Sequence, residues 1–272
     1  MKTLIVGLPR SGTTALYFKI KQALPETTWC LYEPPRFEPS DPSAAAGVLA
    51  KILISGNGDF DYASFRGFDK AILVVRDPRD HLVSRLLYRA CSDAKFRQDN
   101  VKVAGFVAAI RDKEANPRSI SILDLLDRYN NLSGEKPAGA HTQPRSWAIG
   151  SYAMALDFHR RHAALMTYKY EDLIAGDLLP IERYLGIMVP EGEAVVDDAY
   201  DHVTRTKGSR DWKNWFTEAD VAFFRPHLAD YMQAYGYTDD WALSDAPRIR
   251  PEHGSEFVRR SVAIRRRQDL AA

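Results

Sequence analysis

An α/β fold, a mostly parallel central sheet between two layers of helices, follows from three observations. The chain opens on a short apolar run, Leu4-Ile5-Val6, that stops at Gly7 and gives way to a helical pattern. A second continuous apolar run, Ala71 to Val75, leads through a short polar turn into another helical pattern. Neither run alternates with polar residues, which is the habit of strands covered on both faces in parallel sheets. Ligands of such sheets bind beyond the carboxyl ends of the strands. The loops at 7–14 and 76–84 are therefore where function is expected.

Each element has its own signal. The first helix runs from about Thr13 to Ala23 and is stopped by Pro25, so strand, glycine loop and helix open a βαβ unit. Thr28 to Tyr32 reads as a second strand, and 33–43 as a proline-rich loop. Residues 44–54 read as helix, broken at Gly56-Asn57-Gly58. After the strand at 71–75 comes a helix over about 79–91. Residues 95–145 are weakly patterned, with a Gly/Pro-rich stretch at 133–144. A helix over 146–162 precedes a strand from Ala164 to Lys169, and a short helix runs from Leu178 to Leu185. The segment 218–235 is helical, opened by Thr217 with Asp220 three residues on, a capping-box pattern with Asp in place of Glu. No internal repeat is visible.

Composition narrows the classes. The chain has 272 residues, 45% hydrophobic and 27% charged, which excludes disorder and leaves room for one large domain over 1–272. The formal charge is +1, so a basic shell for nucleic acid is not indicated and any anion site must be local. Cys30 and Cys91 alone exclude a disulfide scaffold and fit a reducing compartment. No apolar run approaches the ~18 residues of a membrane span, and Leu4 to Val6 is too short for a secretory signal. A cytoplasmic protein is expected. Residues 241–272 form a basic C-terminal extension, with seven Arg and two Glu from Arg248 to Arg267. A polar terminal helix explains it, although an anionic acceptor, a membrane surface or another subunit would also suit it. A homodimer is allowed and not decided.

Gly7-Leu8-Pro9-Arg10-Ser11-Gly12-Thr13-Thr14 has the glycine spacing of a nucleotide phosphate loop. Converging backbone N–H groups and a helix N-terminus favour an anion there, and three hydroxyls add donors. A nucleoside triphosphatase needs Lys after the second glycine. Here that position is Thr13, and the loop's cation is Arg10. The second apolar run ends in Arg76, where such enzymes often place a magnesium-binding Asp. The loop thus reads as an anion cradle with no evident metal carboxylate.

Pro9 to Thr14 resembles the 5′-phosphosulfate loop of the sulfotransferases that use 3′-phosphoadenosine-5′-phosphosulfate (PAPS), commonly Pro-(Lys/Arg)-x-Gly-Thr-Thr. Arg76-Asp77-Pro78-Arg79-Asp80 followed by Ser84 resembles the family's 3′-phosphate motif without a gap. Arg205 to Thr217 is similar to a third family segment, though the glycine and the Asp211-Trp212 pair do not align together. Tyr170-Glu171-Asp172-Leu173 is similar to a fourth. These matches fall in family order between residues 4 and 240. The resemblance implies a P-loop-like sulfotransferase fold, PAPS as donor with PAP as product, and no metal. It implies that Pro9, Arg10, Ser11, Gly12, Thr13 and Thr14 hold the 5′ side. Arg76, Ser84, Arg205, Lys207 and Gly208, with Arg210 as an addition, would hold the 3′-phosphate. Tyr170 would contact adenine. Ala15 stands where many members place a Trp against the base. Asp77 and Asp80 are expected to orient the turn.

The implied reaction moves a sulfuryl group to a hydroxyl or amine, with Arg10 neutralising charge on the leaving phosphate. An acceptor alcohol needs a base. Carbohydrate-type members often use a Glu after the second strand, and Glu33 stands there. Arg36 could pair with it or hold the acceptor. His141 and His81 are weaker candidates for the base; His81 reads as helix surface, and His159 and His162 as a solvated face. A saccharide or glycolipid acceptor is expected from Glu33, with a small alcohol or phenol as the alternative. A P-loop kinase and a non-catalytic nucleotide-binding module are the competing classes.

Overall fold

The computed structural model describes residues 1–38, 47–55, 58–134, 146–192, 200 and 205–271. In chain order the elements are β1 (Lys2–Gly7), α1 (Thr13–Lys21), β2 (Trp29–Tyr32), β3 (Val48–Leu53), β4 (Lys70–Val75), α2 (Pro78–Ser92), α3 (Ala94–Gln98), α4 (Asn100–Ala115), α5 (Ile122–Ser133), α6 (Ser146–Arg161), β5 (Met166–Lys169), α7 (Tyr170–Ala175), α8 (Leu179–Leu185), α9 (Trp212–Trp215), α10 (Glu218–Ala234) and α11 (Ser255–Ala271). Short 3-10 turns cover Tyr62–Phe65 and Pro251–His253. No described helix is long and apolar enough to cross a membrane.

Two compact units form, each from two stretches of chain: Met1–Asp77 with Ser151–Asp197, and Pro78–Gly150 with Asp198–Ala272. The first holds a five-stranded sheet in the order β2-β3-β1-β4-β5, with every pairing parallel. Leu4, Ile5 and Val6 are all buried although successive residues face opposite sides, so β1 is covered on both faces. The same holds for Val48 to Ile52 and for Ile72 to Val75. The chain places β3 and β2 on one side of β1 and β4 and β5 on the other. The order therefore reverses at β1, and the crevice at that reversal is where such sheets take ligands. Gly7 ends β1 there.

One sequence expectation fails in this unit. Residues 44–54 read as helix, yet Val48–Leu53 is strand β3, paired in register with both β1 and β2. The alanines at 44–46 suggested helix and Lys51 interrupted the apolar run. Tertiary pairing on two sides overrides both signals.

The second unit is helical among its described residues. Asp220 ties two of its helices together. It is fully buried and accepts hydrogen bonds from the N–H of Ile122 and Leu123, both at 3.0 Å, and from the N–H of Thr217 at 2.8 Å. One side chain thus caps the first turn of α5 and completes the capping box of α10. Burial pushes its carboxyl up, and those N–H donors oppose the shift. Asp220→Ala leaves several buried donors unpaired, so it is expected to cost about 2–4 kcal/mol in denaturant unfolding. A cost below about 1 kcal/mol would show that the two helices do not depend on it.

Candidate functional site

Local backbone chemistry shapes the loop after β1. Gly7 admits no side chain: a Cβ there would lie 2.6 Å from the Val74 carbonyl oxygen and 2.7 Å from Ser11 Oγ. Arg10 adopts φ 77°, an uncommon left-handed conformation for a residue with a side chain. The Ser11 N–H closes the turn on the Leu8 carbonyl at 3.0 Å. Gly12, at φ 102°, then starts α1. Ser11 and Thr13 are each 2% exposed, and the buried Ser11 Oγ has no hydrogen-bond partner among the described residues. A buried hydroxyl without a partner costs stability unless a ligand completes it. An anion at the head of α1 would do so.

Arg76, at the end of β4 and 5% exposed, faces the same loop. Its Nη1 donates to the Arg10 carbonyl at 3.2 Å, and its Nε is buried without a partner. Its guanidinium lies 4.3 Å from the centroid of the Tyr170 ring. Gly12 also lies against that ring: a Cβ there would come within 2.3 Å of Tyr170 Cδ2. Tyr170 therefore braces both the loop and Arg76. The next residue, Glu171, accepts the Asp77 N–H at 2.9 Å and fixes the turn after β4. Gly12→Ala meets both a left-handed backbone and this ring. It is expected to cost about 2 kcal/mol or more in thermal unfolding. A neutral result would mean that the loop and Tyr170 separate freely.

Glu33 follows β2 at φ 52°, and its carboxylate accepts from Lys51 Nζ. Sequence reasoning missed Lys51. It sits inside β3, where only 1% of it is exposed, and its ammonium lies 4.3 Å from the centroid of the Tyr32 ring. Burial pushes its pKa down, the Glu33 carboxylate pulls it back up, and the charge of Arg10 depresses it further. Tyr32 in turn shares a hydrogen bond of 2.9 Å with Thr14 Oγ1. A continuous chain thus runs from the loop through Tyr32 and Lys51 to Glu33. A lone cation within the apolar run 48–54 was the available signal. Its partner is 18 residues away and comes close only because β2 pairs with β3.

Other expectations change. Arg36 pairs with Glu38 at 2.7 Å instead of with Glu33. His81 is 1% exposed and not on a helix surface, because the first turns of α2 from Pro78 to Ser84 are all buried. The ring of His162 lies 4.6 Å from that of Phe158 and is half-buried, so only part of it faces solvent. His141 lies outside the described residues.

In the second unit, Asp80 orients a turn as expected. Its carboxylate accepts the N–H of Arg210 at 2.6 Å and of Trp212 at 2.9 Å, fixing the segment that holds Arg205 to Arg210. Arg205 is 5% exposed; its Nη1 binds Asp211 at 2.7 Å, while its Nε and Nη2 are buried without partners. Such half-satisfied guanidinium groups suit an anion. Ser84 is buried, Lys207 is exposed, and Gly208 lies between them in exposure.

No protein-family model matches this chain, and no curated protein matches it. Among solved structures it is similar to mouse sulfotransferase SULT7A1 complexed with PAP, at 16% identity and a TM-score of 0.49. The likeness covers 85% of this chain and 84% of the mouse chain.

Proposed function

We propose that this chain is a sulfotransferase that moves the sulfuryl group of PAPS to an acceptor hydroxyl. The observation that carries the reading is the loop after β1. It has phosphate-loop spacing, Thr13 in place of the usual lysine, and a buried Ser11 Oγ awaiting an acceptor. Arg76, with a buried Nε in the same condition, is bonded to that loop. Two partnerless buried donors beside a helix N-terminus fit the phosphate groups of the donor.

PAPS supplies the sulfuryl group and the leaving phosphate. The protein's part is position and charge. Arg10 and the N–H groups of the loop, with the hydroxyls of Ser11, Thr13 and Thr14, take up the charge that develops on the leaving oxygen. Arg76 serves the 3′-phosphate, and the resemblance adds Ser84, Arg205, Lys207 and Gly208 to that role. It also brings Tyr170 to the adenine. Glu33 accepts the acceptor's proton as the new O–S bond forms and the bridging S–O bond breaks. Lys51 holds the Glu33 carboxylate in place for this step. A saccharide or glycolipid hydroxyl is the expected acceptor, on the position of Glu33 alone, and a small alcohol or phenol is the second choice.

The test is PAP release from PAPS by the full chain, measured with and without a mixed panel of hydroxyl compounds. Acceptor-dependent release without added magnesium supports the reading. Phosphoryl transfer from ATP with magnesium, and no release from PAPS, would favour a kinase.

A further inference from the structure

The first unit contains a cavity of about 350 Å³ that no step above uses. That volume suits a small organic ligand. Its inner wall is apolar: Ile54, Met154 and Phe158, with the Tyr62 ring set against Phe158 at 5.0 Å and 62°. Tyr62 makes this wall rigid, because its hydroxyl donates to the Leu53 carbonyl at 2.5 Å and accepts the Ser55 N–H at 3.1 Å. That hydroxyl is therefore spent on the backbone. Ser55 Oγ is likewise engaged, donating to Asp59 at 2.7 Å. Few neutral polar groups remain to read the hydroxyls of a sugar.

The cavity has two unlike ends. Ile54 and Ser55 directly follow β3, and the Ile54 N–H bonds the Gly7 carbonyl at 2.9 Å. This end adjoins the phosphate loop. The other end is cationic. Arg66 stands shortly before β4 begins, and Arg161 and His162 stand shortly before β5 begins. In a parallel sheet those positions lie toward the end opposite the loop. Arg161 is bonded to Asp157, whose second contact is Arg160 at 3.9 Å. Arg66 has no hydrogen bond or ion pair from its side chain among the described residues. Both arginines depress the ionisation of His162, after burial, as expected of a positive field at this end.

We propose that this cavity seats an elongated acceptor whose hydroxyl points to the loop, whose apolar body lies on Phe158 and Ile54, and whose far end carries an anionic group held by Arg66. The proposal rests on the sulfuryl-transfer reading for the word acceptor, and on the cavity alone for the ligand class. It narrows the saccharide or glycolipid expectation to acceptors with an apolar body and a negative charge.

Calorimetric titration of the full chain with 12-hydroxydodecanoate and with 1,12-dodecanediol separates the two parts. The pair shares the chain and the hydroxyl and differs in the charge. Wild type is expected to bind the carboxylate about tenfold more tightly than the diol, and Arg66→Ala to remove most of that preference. PAP binding should be unchanged in Arg66→Ala. Trp replaces Phe158 in a second variant, Phe158→Trp, which fills the cavity and should weaken both compounds. Equal affinities in wild type, or a preference that survives Arg66→Ala, would overturn the anionic class. Carboxylate preference without any PAP binding would uphold the ligand class and sink the donor reading. PAP binding with a bound carboxylate that is never sulfated would overturn its role as acceptor.

Discussion

Glu33→Gln is expected to lower sulfuryl transfer by ~10²–10⁴-fold while leaving PAP affinity unchanged. The amide keeps the size of the side chain and removes its capacity to take a proton. Lys51 would still have an oxygen to bond, so the chain from Thr14 through Tyr32 to residue 33 should persist. Lys51→Met should also lower turnover, by a different route. It leaves a carboxylate that is 34% exposed at its side chain without its partner, free to turn away. The two variants together should lose little more than Glu33→Gln alone if Lys51 acts only by placing Glu33. Additive losses would show that Lys51 acts on the reacting groups in its own right. Single-turnover kinetics with PAPS, alongside PAP titration, reads both parts. Unchanged turnover in Glu33→Gln would remove that residue from the mechanism.

Arg76→Ala should weaken PAP by ~30- to 1,000-fold, the usual cost of deleting one partner of a buried charge pair. The effect has three sources. A phosphate loses a planar charged donor, and the loop loses its bond from Arg76 to the Arg10 carbonyl. Tyr170 also loses the guanidinium that covers its ring. Arg76→Lys separates them. Lysine restores charge but neither the fork nor the stacking, so it should recover only part of the affinity. If Arg76 reads the 3′-phosphate, 5′-AMP should be much less affected than PAP. Equal losses for the two ligands would mean that Arg76 serves only to shape the loop.

Much of this site could be read from local sequence, and the reasons are specific. Leu4 to Val6 and Ala71 to Val75 announce buried strands because both faces are apolar. Gly7 and Gly12 announce the loop because only glycine fits their backbone and contacts. Thr217 and Asp220 announce a helix start through three-residue spacing, and the reciprocal cap is present. The failures share another cause. Strand β3 is defined by neighbours on both sides, which no window of its own sequence contains. The Glu33–Lys51 pair depends on parallel pairing across two strands, so Lys51 reads only as an interruption until the sheet is built. Helix α4 carries a stripe, Val103, Phe106, Val107 and Ile110, that Ala104, Gly105, Ala108 and Ala109 blur, because these small apolar residues fill the faces between. The second role of Asp220, capping a helix 98 residues away in sequence, is visible only after folding.

The central claim is that this loop and Arg76 hold PAP without a metal. A melting curve of the full chain with PAP, beside 5′-AMP and ATP with magnesium, tests it most directly. A ligand at 100 times its dissociation constant adds ~2.7 kcal/mol of stability. The account predicts a clear upward shift with PAP in the presence of a chelator and a smaller one with 5′-AMP. Stabilisation by ATP with magnesium alone, and none by PAP, would contradict it.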